Sequence, residues 1–225
     1  MKWESAFRVV AHELRSPAGV IGGYARMLRS GRLDEAGRDE ALRQLERAAG
    51  RLGDLAQQSS DLAGWLAPHE PDETTEYSLL PISALVVRAT QSAAAPERVK
   101  IVGDPATVQC QLRTREPRAL AAAMASVIDA TARELPTRTA EIGVTIRRSL
   151  VPNACDVVVG PPELIEAIQI DNNLASDSTF NLEGGGLGLH LILGVVVLDA
   201  HGAQLWASRD VRGVTGVRIP VSAGN

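Results

Sequence analysis

Two short strings hold most of the residues able to do chemistry. The first is Phe7-Arg8-Val9-Val10-Ala11-His12-Glu13-Leu14-Arg15-Ser16-Pro17. An imidazole titrates near neutral pH and becomes a nucleophile once a base removes its proton. Glu13, next in the chain, is such a base. His12 lies two residues from both Val10 and Leu14. At about 100° per residue it stands roughly opposite the apolar positions of a helix. A histidine so placed faces solvent and can present an accepted group to another protein, although a lone exposed histidine is also an ordinary surface residue. Pro17 removes a backbone donor just past it and favours a kink. The second string is Gly184-Gly185-Gly186-Leu187-Gly188-Leu189, which leads into an apolar run. A glycine-rich turn before a helix offers N–H groups and the positive end of the helix dipole to a phosphate. A flexible hinge is the other reading of the same glycines.

The elements that must position His12 are helical. Phe7, Val10, Leu14, Pro17, Ile21, Tyr24 and Leu28 recur at alternating steps of three and four, which predicts one helix over residues 5–31 with a heptad seam. Gly31-Arg32 breaks the pattern and Asp34 can cap a second helix. Leu45, Ala48, Leu52, Leu55, Ser59, Leu62 and Leu66 repeat the spacing over residues 34–67. A single antiparallel hairpin cannot bury both apolar faces, whereas two hairpins form a four-helix bundle. A homodimer through residues 5–67 is therefore expected.

The glycine string belongs to a different kind of segment. Residues 68–78 are acidic, carry two prolines and read as a linker. Helices are expected at 81–95, 117–135 and 187–200. Strands are expected at 99–102, 107–112, 142–147, 156–159, 204–208 and 214–221. Mixed strands and helices after an all-helical segment predict a separate α+β layered domain over residues 79–225.

The 225 residues are 45% hydrophobic and 22% charged, which suits a soluble chain of one or two domains. Aromatics are only 3%, so the core rests on aliphatic packing. A net charge of −4 gives no electrostatic case for nucleic acid or an anionic membrane. Cys110 and Cys155 are too few for a disulfide framework and read as reduced thiols of a cytoplasmic protein. The longest apolar stretch, 187–200, is shorter than the roughly 20 residues a bilayer takes, so no membrane segment is expected in this chain. A sensing part, if there is one, is expected upstream or on another chain.

The His-Glu-Leu-Arg-Ser-Pro string on a heptad helix, followed by a second heptad helix, resembles the H-box of sensor histidine kinases. The glycine string resembles the G2 box of the same family. So do Val197-Leu198-Asp199-Ala200-His201-Gly202 after it and the Arg212–Pro220 run, which match the helix and closing strand pair of its Bergerat-fold (GHKL) ATPase domain. The resemblance covers most of the chain. It implies an α+β protein of two domains, a dimeric helical hairpin over 1–67 and an α/β-sandwich ATPase-like domain over 79–225. It implies that His12 is phosphorylated from ATP with Mg²⁺ and passes the phosphoryl group to an aspartate of a response-regulator receiver domain. Glu13 would be its acid/base partner, and Ser16 falls where the family has a polar residue used in dephosphorylating the regulator. Gly184, Gly186 and Gly188 would meet the phosphates. His201-Gly202 reads as a helix stop rather than a metal or catalytic site.

The sequence departs from the family in two places. Aligning Glu116-Pro117 with the acidic-Pro pair that opens the family's first ATPase helix puts Ala130 where the family's metal-binding asparagine stands. A one-residue slip puts Asp129 there instead, and a carboxylate suits Mg²⁺. The adenine-reading Asp-x-Gly-x-Gly segment is matched only by Val157-Val158-Val159-Gly160-Pro161-Pro162-Glu163, with no Asp, while Asp156 falls ahead of the expected strand. The loop 170–180 reads as a reduced ATP lid or as a surface loop. A second reading therefore stands beside the kinase: a phosphotransferase or phosphatase that takes phosphate from its partner, with the ATPase-like half structural. A non-catalytic dimeric scaffold for a regulator is the third.

Overall fold

The computed structural model describes residues 3–67, 77–104, 108–135, 137, 139–168, 180, 188–208 and 211–223, and the chain divides into two units, Met1–Ala67 and Pro68–Asn225. The expected linker residues 68–76, like most of the loop 170–180, lie outside the described residues. Ser78, expected in that linker, opens a strand instead.

The first unit is an antiparallel hairpin of α1 (Trp3–Arg29) and α2 (Glu35–Leu66). Its turn is built as the residue types dictate. Gly31 takes φ +67°, a left-handed conformation that costs glycine nothing. Asp34 caps α2 by accepting a hydrogen bond of 2.8 Å from the Gly37 N–H. Ala41, Ala48, Leu55 and Leu62, seven residues apart, are the buried positions of α2. Leu45, Leu52, Ser59 and Leu66, three residues ahead of the next buried position or four behind the last, are only half-buried. Phe7 is 65% exposed, Leu42 49% and Met27 46%. α1 runs through Pro17, which is buried and has no N–H to give the Glu13 carbonyl one turn back.

The second unit contains a five-stranded sheet in the order β2-β4-β5-β7-β6 and a three-stranded sheet in the order β1-β3-β8. The strands are β1 (Ser78–Pro81), β2 (Val99–Ile101), β3 (Cys110–Thr114), β4 (Ile142–Arg148), β5 (Ala154–Gly160), β6 (Gln204–Ala207), β7 (Thr215–Pro220) and β8 (Ser222–Ala223). The helices are α3 (Ile82–Ser92), α4 (Pro117–Glu134), α5 (Pro162–Ala167) and α6 (Gly188–Ala200). β2 and β4 are parallel; every other pairing is antiparallel. α4 packs between α3 and α6 and is fixed to β7 by Thr131 and Thr215, whose hydroxyl oxygens are 2.5 Å apart. Because the Thr131 hydroxyl donates to the Val127 carbonyl, the Thr215 hydroxyl is the donor between them.

The opposite face of the large sheet is also covered. Register places Gly143 opposite Gly160, and Val158 between Thr145 and Gly216. α5 lies over the glycines: a Cβ on Gly143 would stand 2.5 Å from Ile165 Cδ1. Trp206 lies over Gly216, where a Cβ would fall 2.2 Å from the indole. The Arg147 guanidinium closes the end of α5 by donating to the carbonyls of Ile165, Glu166 and Ile168, where the helix dipole favours a cation. With both faces covered, β4 and β5 are buried along nearly their whole length rather than at alternate residues.

Candidate functional site

His12 is exposed on α1. Ser16, one turn on, shares its face and is exposed as well. Glu13 points elsewhere. Its side chain is only 11% exposed and meets Arg51 of α2, with Arg51 Nη2 3.2 Å from the carboxylate. The hairpin therefore presents an accessible imidazole, while the carboxylate of the next residue is turned to a cation on the facing helix. Arg51 was not singled out by motif reading, but the sequence carries a signal for it. Glu13 and Arg51 lie equal distances before and after Arg32, and an antiparallel hairpin folded there brings them level.

In the second unit, only Gly188 and Asp129 of the predicted nucleotide-binding residues are among those described. Gly184 and Gly186 lie outside the described residues, and Gly188 is the first residue of α6 with φ +60°. Ala130 is fully buried. Asp129 lies on the next face of α4 and accepts a hydrogen bond of 2.9 Å from the Ala94 N–H. It lines a cavity of about 350 Å³ between the end of α3, α4 and the start of α6, with Ser126, Arg133 and His190. Burial raises the Asp129 carboxyl pKa, opposed by the Ala94 bond and by the charges of Arg133 and His190. Ala130 has no ligand atom, and the Asp129 carboxylate is engaged at the α3 end. Ala130 therefore cannot be the magnesium ligand the resemblance implies, and Asp129, with Oδ1 taken, would offer a cation only Oδ2. Among the described residues no group of three or more His, Cys, Asp or Glu could hold a metal.

The place of the adenine-reading Asp is occupied differently. The Gly160-Pro161-Pro162 turn starts α5, with Pro161 at its N-cap and Pro162 at its first position. Asp156 is inside β5, not ahead of it, because the strand begins at Ala154. Its fully buried carboxylate accepts from Arg218 Nε at 3.0 Å, Arg218 Nη2 at 3.2 Å and Trp206 Nε1 at 3.2 Å. A buried carboxylate with these three donors is a structural group. His201 is likewise structural. Its Nδ1 donates to the Val197 carbonyl at 2.7 Å, so in the neutral ring Nε2 accepts from the Thr114 hydroxyl at 2.9 Å. α6 ends one residue earlier and Gly202 takes φ +69°.

A helical hairpin followed by an α/β sandwich with these helices is an arrangement already seen in solved structures. The histidine kinase AdeS of Acinetobacter baumannii matches over 94% of this chain and 98% of its own, at 16% identity and TM-score 0.56. The chain has the fold of a histidine kinase core. The histidine kinase ThkA, solved in complex with the response regulator TrrA, matches over 95% of this chain at 16% identity and TM-score 0.58. ShkA, solved full-length with AMPPNP, matches over 100% of this chain at 14% identity and TM-score 0.54. The chain spans 60% of the ThkA chain and 47% of the ShkA chain. No family model matches the sequence, and no curated protein does. In the histidine kinase fold the first unit here is the hairpin that carries His12, and the second is the ATPase-like sandwich. No helix among the described residues is long and apolar enough to cross a membrane.

Proposed function

We propose that this chain is a two-component signalling core of the histidine kinase type. In it His12 carries a phosphoryl group and exchanges it with an aspartate of a response-regulator receiver domain. The observation that carries the reading is an exposed His12 on a two-helix stalk, followed in the chain by a carboxylate turned to Arg51. A ring nitrogen of His12 attacks the phosphorus, the leaving oxygen takes the electron pair, and the ring proton passes to a base, the role the resemblance gives to Glu13. The reverse transfer to an aspartate carboxylate regenerates the free imidazole. Ser16, exposed one turn from His12, would be the polar group that meets the docked receiver. ThkA was solved with a response regulator, which supports a receiver as the partner type. The half-exposed Leu45, Leu52 and Leu66 and the exposed Phe7 and Met27 favour a second copy of the hairpin as the other partner.

Two donors of the phosphoryl group are open to this fold. ATP is the donor in the kinase reading, favoured by the structure of ShkA with AMPPNP. The buried Ala130, the engaged Asp129 and the proline-led α5 favour the second, in which a phosphorylated receiver is the donor and the sandwich is structural. The test is incubation of the full chain with ATP labelled on its γ-phosphate, and separately with a labelled phospho-receiver. Acid-labile label from ATP on wild type but not on His12→Ala supports the kinase. Label from the receiver alone supports the second donor. Label from neither refutes phosphotransfer at His12.

A further inference from the structure

The two cysteines are not used by any of this. They come from different sheets and meet. Cys110 is the first residue of β3, paired with Ala223 of β8 in the small sheet. Cys155 is the second residue of β5, paired with Ile219 of β7 and Arg148 of β4 in the large one. Their sulfurs are 2.6 Å apart, although the residues are 45 apart in sequence. That separation is within about 0.6 Å of a disulfide bond length. Cys155 is fully buried and Cys110 is half-exposed. The chain has no third cysteine to compete for either.

We propose that Cys110 and Cys155 are a reversible redox pair, in which a peroxide-class oxidant converts the two thiols into a disulfide that ties β3 to β5. The half-exposed Cys110 reacts first. Its sulfur attacks one peroxide oxygen, the O–O bond breaks, and Cys110 becomes a sulfenic acid as water leaves. The Cys155 sulfur then attacks the Cys110 sulfur. The S–S bond forms, the S–O bond breaks, and the hydroxide departs as a second water with the Cys155 proton. One peroxide is reduced and two thiols are oxidised. An external dithiol reverses the step by exchange. The order follows from the surroundings: burial, the Cys110 thiol and Asp156 together push Cys155 up to about 12, which leaves it a poor attacker of solvent oxidants. The two sulfurs are already in place for the second step. The loop so closed contains α4 and β4.

The test is intact-mass and peptide mapping of the full chain after stoichiometric hydrogen peroxide and alkylation in denaturant. The expected product lacks two hydrogens, is monomeric on a non-reducing gel, and yields one linked peptide containing Cys110 and Cys155. Its thermal midpoint should rise by about 5–10 °C and fall back with dithiothreitol. Cys155→Ser should trap a sulfenic acid at Cys110 as its dimedone adduct, and Cys110→Ser should leave Cys155 unmodified. Full alkylation of both cysteines after peroxide treatment of the native wild type overturns the proposal, as does a disulfide found only between chains. The wild-type mapping decides the matter even if a variant does not fold.

Discussion

Replacing Arg218 by Met removes one side of the buried pair that holds β5 to β7. The Asp156 side chain is 0% exposed and that of Arg218 12%. Deleting one partner of such a pair typically costs 3–5 kcal/mol, because the remaining charge stays buried without its counter-ion. The Trp206 N–H still donates to Asp156, and a hydrogen bond to a charged group is worth about 1.5–3 kcal/mol. Arg218→Met should therefore fall at the low end, at about 3 kcal/mol, or about 6–12 °C in thermal midpoint. Asp156→Asn keeps an acceptor for Trp206 and leaves Arg218 in reach of water, so its cost should be smaller, about 1–2 kcal/mol. The double variant should then cost less than the sum of the singles by about 1.5 kcal/mol or more. Urea unfolding followed by far-ultraviolet circular dichroism measures all three. A loss below about 0.5 kcal/mol for Arg218→Met, typical of a surface substitution, refutes the assignment of Asp156 as structural. So does additivity within error. An Asp156 that instead read adenine would show up as Asp156→Asn weakening ATP binding at unchanged stability.

Gly216→Ala should cost about 1–3 kcal/mol by overpacking, because its new Cβ would fall 2.2 Å from Trp206 Cζ2; thermal melts should show the loss together with a changed Trp206 near-ultraviolet signal. Arg51→Ala should cost about 1 kcal/mol, and a double-mutant cycle with Glu13→Gln should return a coupling of about 0.5–1 kcal/mol that shrinks with added salt; zero coupling would mean that Arg51 does not hold Glu13. Asp129 has its folded pKa raised, so the folded state keeps a proton that the unfolded chain has already lost. Stability therefore falls as pH rises through that window above the ordinary carboxyl value. Asp129→Asn should gain on wild type in denaturation midpoint as pH goes from 4 to 7, and the reverse trend would contradict the burial argument.

The helical half was legible because its physics is local. The heptad spacing, Gly31 and Asp34 placed α1 and α2 within two residues of their observed ends and put His12 on an exposed face. α4 and α6 were legible for the same reason, since Pro117 opens one and His201-Gly202 follows the other. Strand reading was less complete. β1 and β8 are short and gain stability only by pairing with β3, a distant partner that no local pattern reveals. α5 was missed because Pro161-Pro162 reads as a stiff turn, although proline suits a helix start. Of the candidate site, spacing put His12 on its face, adjacency in the chain pointed to Glu13, and the family resemblance pointed to Ser16. The ion pair of Glu13 with Arg51 needed the hairpin register. The commitments of Asp129 to Ala94 and of Asp156 to Arg218 and Trp206 depend on contacts between elements far apart in sequence.

The central strand of the large sheet has a consequence for the unfolded chain. Val157-Val158-Val159 is uncharged and β-branched throughout, which suits a strand covered on both sides but also suits pairing with another chain before those covers arrive. Its two ends carry residues that oppose such growth. Asp156 adds a charge that would repel a copy of itself in an in-register stack, and Pro161-Pro162 cannot continue a ladder. Residues bracketing the valine run, one inside β5 and two just past it, thus suit the role of gatekeepers in the unfolded chain.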